Sequence, residues 1–222
     1  MTDTNSATTR PAPRRTLPIV GAALAAVLLV VVGSTADGGT GGADAGPAGT
    51  AVTGPLCELL PAGTEPGNPA SLADQPAGEA LRWIPVLTTF EAAVRATGLA
   101  EELTREVTIL APTDDAFAGK FSRTNLDELL LRDTDELRGL LRDHVVAGAL
   151  PVAGLVAAGT VTTVAGTRLT VTGVGPGARL GDRAETVCAD YRAGAARIHV
   201  VNEVLGDLPT TAGRDDDGHP AH

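Results

Sequence analysis

The chain of 222 residues holds one lysine, Lys120, and only five aromatics: Trp83, Phe90, Phe117, Phe121 and Tyr191. With so few rings, the core has to come from valine, leucine and alanine, which a hydrophobic content of 43% permits. The arginines are scattered, so no basic tract forms, and a formal net charge of −10 repels a phosphate backbone. That argues against nucleic acid as a partner, and for an adhesive role a basic or divalent-cation-bridged partner is the more natural expectation. No internal repeat is visible, which favours one domain with tails over two small domains. Catalytic patterns are also missing. There is no Gly-x-Ser-x-Gly elbow, and Ser71 and Ser122 lie in polar, loop-like sequence. The glycines from 173 to 181 do not lead a strand into Gly-Lys-Ser/Thr, and no His-x-x-x-His or Cys-x-x-Cys spacing offers a metal or redox site. Acid pairs such as Glu101-Glu102 and Asp114-Asp115 are adjacent, not opposed across a cleft. Neither an enzyme nor a cofactor is expected.

What is present begins with Arg10, Arg14 and Arg15 ahead of an apolar run from Leu17 to Val32. A positive flank before such a run reads as a secretory signal or an N-terminal membrane anchor, spanning 1–36 with Ser34-Thr35-Ala36 as a cleavage site. The chain is then secreted or held at the outer face of the cytoplasmic membrane. Residues 37–54 are rich in glycine, alanine and threonine and read as a flexible linker. Residues 209–222 end in Arg214-Asp215-Asp216-Asp217-Gly218-His219-Pro220-Ala221-His222 and have little to bury, so an acidic disordered tail is expected. Cys57 and Cys188 are the only cysteines. In an exported chain they either pair with each other or both stay free, and the oxidising compartment favours the pair.

The domain, 55–208, is organised around Val107-Thr108-Ile109-Leu110-Ala111-Pro112-Thr113-Asp114-Asp115-Ala116-Phe117. The β-branched half suits a buried strand, which Pro112 stops by lacking an N–H for the ladder. Thr113 is placed to cap a helix, Asp114 and Asp115 complement its dipole, and Phe117 turns back to the core. A helix starts at Thr88, with Thr88 or Thr89 as cap, and ends at Thr97-Gly98; a short one follows over Leu99–Leu103. Another covers Asn125–Leu131, capped by Thr124 or Asn125. Asp133 or Thr134 caps the next, where Leu137, Leu140, Leu141 and His144 share one face. Thr160–Val164 and Thr167–Thr172 flank Ala165-Gly166 as a hairpin, and Ile198–Val201 closes the domain. The order of elements indicates an α+β fold, N-terminal helices packed with a β-sandwich or wedge of short strands.

The stretch from Val107 to Phe117 resembles the first signature of fasciclin-like domains. Leu140-Leu141-Arg142-Asp143-His144-Val145-Val146 is similar to the second, and Arg197-Ile198-His199-Val200-Val201-Asn202-Glu203-Val204-Leu205 to the closing strand. The early Gly-x-x-Cys and the late Val-Cys are similar to the secreted fasciclin-domain antigens of mycobacteria. The resemblance implies a non-enzymatic extracellular adhesion module contacting proteins, matrix or envelope glycans, with a secreted carrier of a small apolar ligand as the alternative. In adhesive animal members the position of Asp143 typically holds a tyrosine, so receptor contact through that stretch does not carry over.

His144 and His199 are the domain's two histidines. His144, on an apolar helical stripe, reads as a core imidazole hydrogen-bonded near the Thr113 corner. His199 alternates with Ile198 and Val200, so it is expected to face solvent or a groove.

Overall fold

The structure, a computed structural model, describes residues 51–213. The expected export segment, most of the linker and the acidic end of the tail lie outside the described residues. Among those described, no helix is long and apolar enough to cross a membrane.

The chain joins the sheet earlier than the sequence suggests. Thr53 donates to the Ala189 carbonyl at 3.1 Å and accepts from the Ala189 N–H at 2.7 Å, so the last residues of the expected linker belong to the domain. Gly54 follows at φ 137, where a Cβ would overlap the Val187 carbonyl. A 3-10 turn over Pro55–Leu59 then presents Cys57 to Cys188, and the two are disulfide-bonded with Cα atoms 5.1 Å apart.

Two short helices, α1 (Pro69–Leu72) and α2 (Ala77–Ala80), lead through 3-10 turns into α3 (Thr88–Ala96). Gly98 ends this stretch in the left-handed conformation at φ 64, and a 3-10 helix over Leu99–Thr104 delivers β1 (Val107–Pro112). Every residue of β1 is buried, Pro112 included as its last member. Next come α4 (Asp114–Lys120), α5 (Arg123–Leu131), α6 (Thr134–Arg142), β2 (Val145–Ala147) and α7 (Val152–Ala158). The strands β3 (Thr160–Thr162), β4 (Arg168–Val174), β5 (Gly177–Leu180), β6 (Ala184–Ala193) and β7 (Ala196–Val201) complete the domain. The hairpin over Ala165-Gly166 forms as the sequence indicates.

Two helix starts depart from expectation, and a third keeps its expected cap position. Ser122, not Thr124 or Asn125, caps α5, because its hydroxyl accepts the Asn125 N–H at 3.2 Å. Asp133 sits at the cap of α6 without a side-chain bond. Neither Thr88 nor Thr89 caps α3; both lie inside its first turn, and the cap comes from elsewhere in the chain.

The sheet runs in the order β2-β1-β7-β6-β5-β4-β3, with β1 and β7 parallel and all other neighbours antiparallel. Two register shifts in β6, around Cys188, bend it so that its start pairs with β5 and the rest with β7. The sheet curls until its two edges meet. Val146 bridges Thr163, and the Val164 N–H donates to the Val145 carbonyl at 2.7 Å. That wedge separates two cores. On the helical side, Phe90, Phe117, Leu137, Leu141, Ile109, Ile198 and Tyr191 pack together. Inside the curl, Leu110, Val161, Val171, Leu180 and Val201 pack with Leu155 of α7. Each such side chain contributes about 1.5–3 kcal/mol of transfer free energy on burial.

The tail also begins later than expected. Thr211 accepts the Ser122 N–H at 2.9 Å and donates to Asn125 Oδ1 at 3.0 Å, so the chain past Pro209 is fastened to the start of α5.

Candidate functional site

The signature residues converge where β1 and β7 lie side by side, and their polar atoms are taken up by the backbone. Thr113 accepts the Ala116 N–H at 3.1 Å, and its own N–H donates to Val201 at 3.0 Å, which fixes the turn from β1 into α4 against the end of β7. Asn202, just past β7, accepts the Glu185 N–H at 2.7 Å and donates from its own N–H to the Glu185 carbonyl at 3.1 Å, pinning the start of β6. Phe117 is fully buried, its ring centre 6.3 Å from that of Phe121.

Asp114 reaches beyond its own helix. Its carboxylate accepts the Thr89 N–H at 2.7 Å and the Thr88 hydroxyl at 2.8 Å, so it supplies the missing cap of α3. The sequence expectation of a local dipole charge omitted this larger role, because the two helix N-termini are adjacent only in the folded chain.

Both histidines are 0% exposed. For His144 the buried reading holds, but its partners lie away from the Thr113 corner. Nδ1 donates to the Leu140 carbonyl at 2.9 Å and Nε2 accepts the Leu205 N–H at 2.9 Å, tying the end of α6 to the chain beyond β7. Burial holds its pKa at about 4, with the Leu140 bond and Asp143 opposing in part. His199 requires a correction: it faces neither solvent nor a groove. Alternation does turn it away from Ile198 and Val200, but the curled sheet covers that face too. Its Nδ1 accepts the Asp190 N–H at 3.1 Å, and Nε2 donates to the Leu150 carbonyl at 3.0 Å. Burial lowers this pKa as well, against the raising effects of the Leu150 bond and the Asp190 charge.

Asp190 is the residue that sequence reasoning missed. It is the one non-glycine among the described residues with positive φ, at 76. From there its carboxylate accepts the Val152 N–H at 3.0 Å and caps α7, whose own cap position is Pro151. Arg197 approaches the same oxygen at 3.6 Å. Thr108 completes the set from β1, donating to the Gly148 carbonyl at 2.6 Å and accepting the Leu150 N–H at 2.8 Å. Nothing in the local pattern of Ala189-Asp190-Tyr191 announces this role.

Asp143 accepts the Thr163 hydroxyl at 3.2 Å, so the position read as a lost receptor contact instead helps join the two sheet edges. Among the described residues, no group of three or more His, Cys, Asp or Glu is placed to hold a metal ion. The open clefts among the described residues include two beside α3 and α4 that could admit a small molecule. One, of about 420 Å³, has Pro76, Val94 and Ala100 in its lining, with Arg82 and Arg95 flanking Glu91 at 3.5 and 3.6 Å. The other, of about 850 Å³, is more polar and lies beside Asp114, Phe121 and Arg123.

The fasciclin domain family model matches residues 85–208. The chain is 32% identical over 163 residues to immunogenic protein MPB70 of Mycobacterium bovis and, equally, to MPT70 of Mycobacterium tuberculosis, covering 69% of this chain and 81% of each relative. It is 38% identical over 120 residues to protein sll1483 of Synechocystis, a match spanning 53% of this chain and 66% of that protein. A fasciclin domain pair from the insect cell adhesion molecule fasciclin I aligns over 53% of this chain and 44% of its own, at 24% identity and a TM-score of 0.41. The chain belongs to the fasciclin domain family.

Proposed function

We propose that this protein is an exported, non-enzymatic binding module whose partner is an extracellular protein, matrix or cell-envelope component. One observation carries the reading: the polar side chains of Thr113, Asp114, His144, His199 and Asn202 in the signatures, and of Asp190 bonded to His199, are taken up mainly by backbone partners. Both nitrogens of His144 and of His199 are occupied, Thr113, Asp114 and Asp190 cap helices, and Asn202 binds the start of β6. Side chains held this way build a rigid frame and leave recognition to the surface. The disulfide supports export, since such bonds persist outside the cytoplasm. So does the arginine-flanked apolar run ahead of the domain.

A second reading, a carrier of a small apolar ligand, is favoured by the apolar patch of Pro76, Val94 and Ala100 in the cleft beside α3, whose other walls carry charged side chains. Protein secreted by the native host separates the two. As a binding module it associates saturably with envelope preparations and yields no lipid on solvent extraction. Extractable lipid at one equivalent per chain would support the carrier instead. Turnover that follows the protein through purification and vanishes on one side-chain substitution would overturn the non-enzymatic reading.

A further inference from the structure

The acidic net charge hides a face of opposite character. In the sheet half formed by β3, β4 and β5, side chains alternate except at the end of β4, where Gly173 and Val174 are both exposed. Val161, Leu169, Val171, Ala178 and Leu180 are buried against α7 and the curl, whereas Thr160, Thr162, Arg168, Thr170, Thr172 and Arg179 are all exposed. Register sets these six in a grid, with Thr160 opposite Thr170, Thr162 opposite Arg168, and Thr172 opposite Arg179. A polar outer face is ordinary for an antiparallel sheet. Its charge is not ordinary for this chain. Residues 159–183 carry three arginines, Arg168, Arg179 and Arg183, against Asp182 alone, in a protein with 27 acids and 17 bases. The arginines that look scattered in sequence are gathered here by strand pairing. The Gly181 N–H donates to the Thr170 carbonyl at 2.8 Å, so the turn bearing Arg183 lies beside β4.

We infer that this face binds a carboxylate-bearing polysaccharide, an assignment that rests on the binding role proposed above and names its partner class. The grid has a period of about 4.8 Å across strands and about 6.8 Å along them. Threonine χ1 is stiff, so its hydroxyls are presented with little rotamer entropy to lose on contact. Each hydroxyl both donates and accepts, which suits the ring hydroxyls of a sugar chain. A guanidinium matches a carboxylate through two parallel N–H bonds. Glu185 offsets the charge of Arg179 but also orients it, since Nε and Nη2 both donate to one carboxylate oxygen, at 2.9 and 2.6 Å. No aromatic lies on this face, so neutral glycans held by ring stacking do not fit it. A phosphate chain would use the arginines and leave the threonines idle.

The test is retention of the intact protein on immobilised polygalacturonate, with dextran and polyphosphate as comparison matrices. Retention on the polyuronate is expected at low salt, weakening as salt rises and absent on dextran. Arg168→Glu with Thr170→Glu should reduce it at least tenfold, Arg168→Ala with Thr170→Ala several-fold, and Arg105→Glu on the helical side should leave it unchanged. Melting curves check that each variant folds. Failure of the unsubstituted protein to bind polyuronate, stronger binding to polyphosphate, or equal loss in Arg105→Glu would overturn the assignment. Unchanged envelope binding by the folded alanine pair would also overturn it, while leaving the broader binding role standing.

Discussion

Asp190 and His199 meet through the backbone N–H of the one and Nδ1 of the other, 3.1 Å apart. The same Asp190 caps α7 with its carboxylate, so a single residue fastens the closing strand and the helix that fills the curled sheet. Its φ of 76 makes both bonds possible and is strained for any residue with a Cβ. Asp190→Ala loses the cap and keeps the strain, a predicted cost of about 1–2 kcal/mol. Asp190→Gly also loses the cap but relieves the strain, so it should be the less destabilised by about 1 kcal/mol. Urea unfolding of the two variants checks the order; the reverse ranking would show that the left-handed backbone carries no strain.

Both histidines fold as neutral rings that accept a backbone N–H. An unfolded chain takes up the proton near 6.5, but burial delays this for His144 to about 4. A lowered pKa means that stability is complete above 6.5 and falls as pH drops from 6.5 toward 4. The His144 window corresponds to about 3 kcal/mol. His199 adds a loss of the same sign. The charged groups that face it are Asp190 on β6 and Arg197 on its own strand, which act in opposite directions. The predicted observation is a unfolding midpoint that declines from pH 7 to pH 4.5. His144→Asn should be less stable at neutral pH yet show a shallower decline. Equal slopes in both proteins would remove His144 as the source.

The first signature was legible because its signals are local. A β-branched run, a proline and a capping threonine followed by acids define a strand and a helix start whatever surrounds them. Cys57–Cys188 was legible for a different reason, since two cysteines in a chain read as exported leave few choices. The misread features were long-range. Alternation correctly put His199 on the face opposite Ile198, but it cannot report that both faces of a curled sheet are covered. Thr88 and Thr89 looked like caps because threonine is a good one, yet the cap arrives from Asp114, 25 residues ahead of Thr89. The grid of threonines and arginines was equally hidden, because only strand register reveals which exposed residues stand together.

Asp114 and Asp115 are neighbours in sequence with different predicted worth. Asp114 caps α3 through the Thr89 N–H and the Thr88 hydroxyl, whereas Asp115 is an exposed residue in the first turn of α4. Asp114→Ala should cost about 1–2 kcal/mol, the upper range for a lost cap, because it also parts α3 from α4. Asp115→Ala should cost no more than about 0.5 kcal/mol. A double-mutant cycle with Thr88→Ala locates the coupling, and an interaction energy near zero would place the effect of Asp114 elsewhere.

The disulfide fastens the first residues of the domain to the bent centre of β6. Thr53 pairs with Ala189 on one side of Gly54, and Cys57 reaches Cys188 on the other, so two attachments hold one short segment. The bond spans 131 residues, long enough that the chain-entropy model allows up to about 5 kcal/mol of stabilisation, and measured values usually fall below such figures. Cys188 lies in the helical-side core and Cys57 packs against it, but most of that core's burial comes from other side chains, Phe90, Phe117 and Leu137 among them. Reduction should therefore lower the melting temperature while leaving a folded domain with its far-UV circular dichroism intact at room temperature. Hydrogen exchange should quicken first at Thr53 and Ala189, whose paired bonds lose their covalent neighbour. Two thiols titrating in denatured protein from the native host would show that the bond does not form there. Complete unfolding on reduction would show that the cores are not self-sufficient.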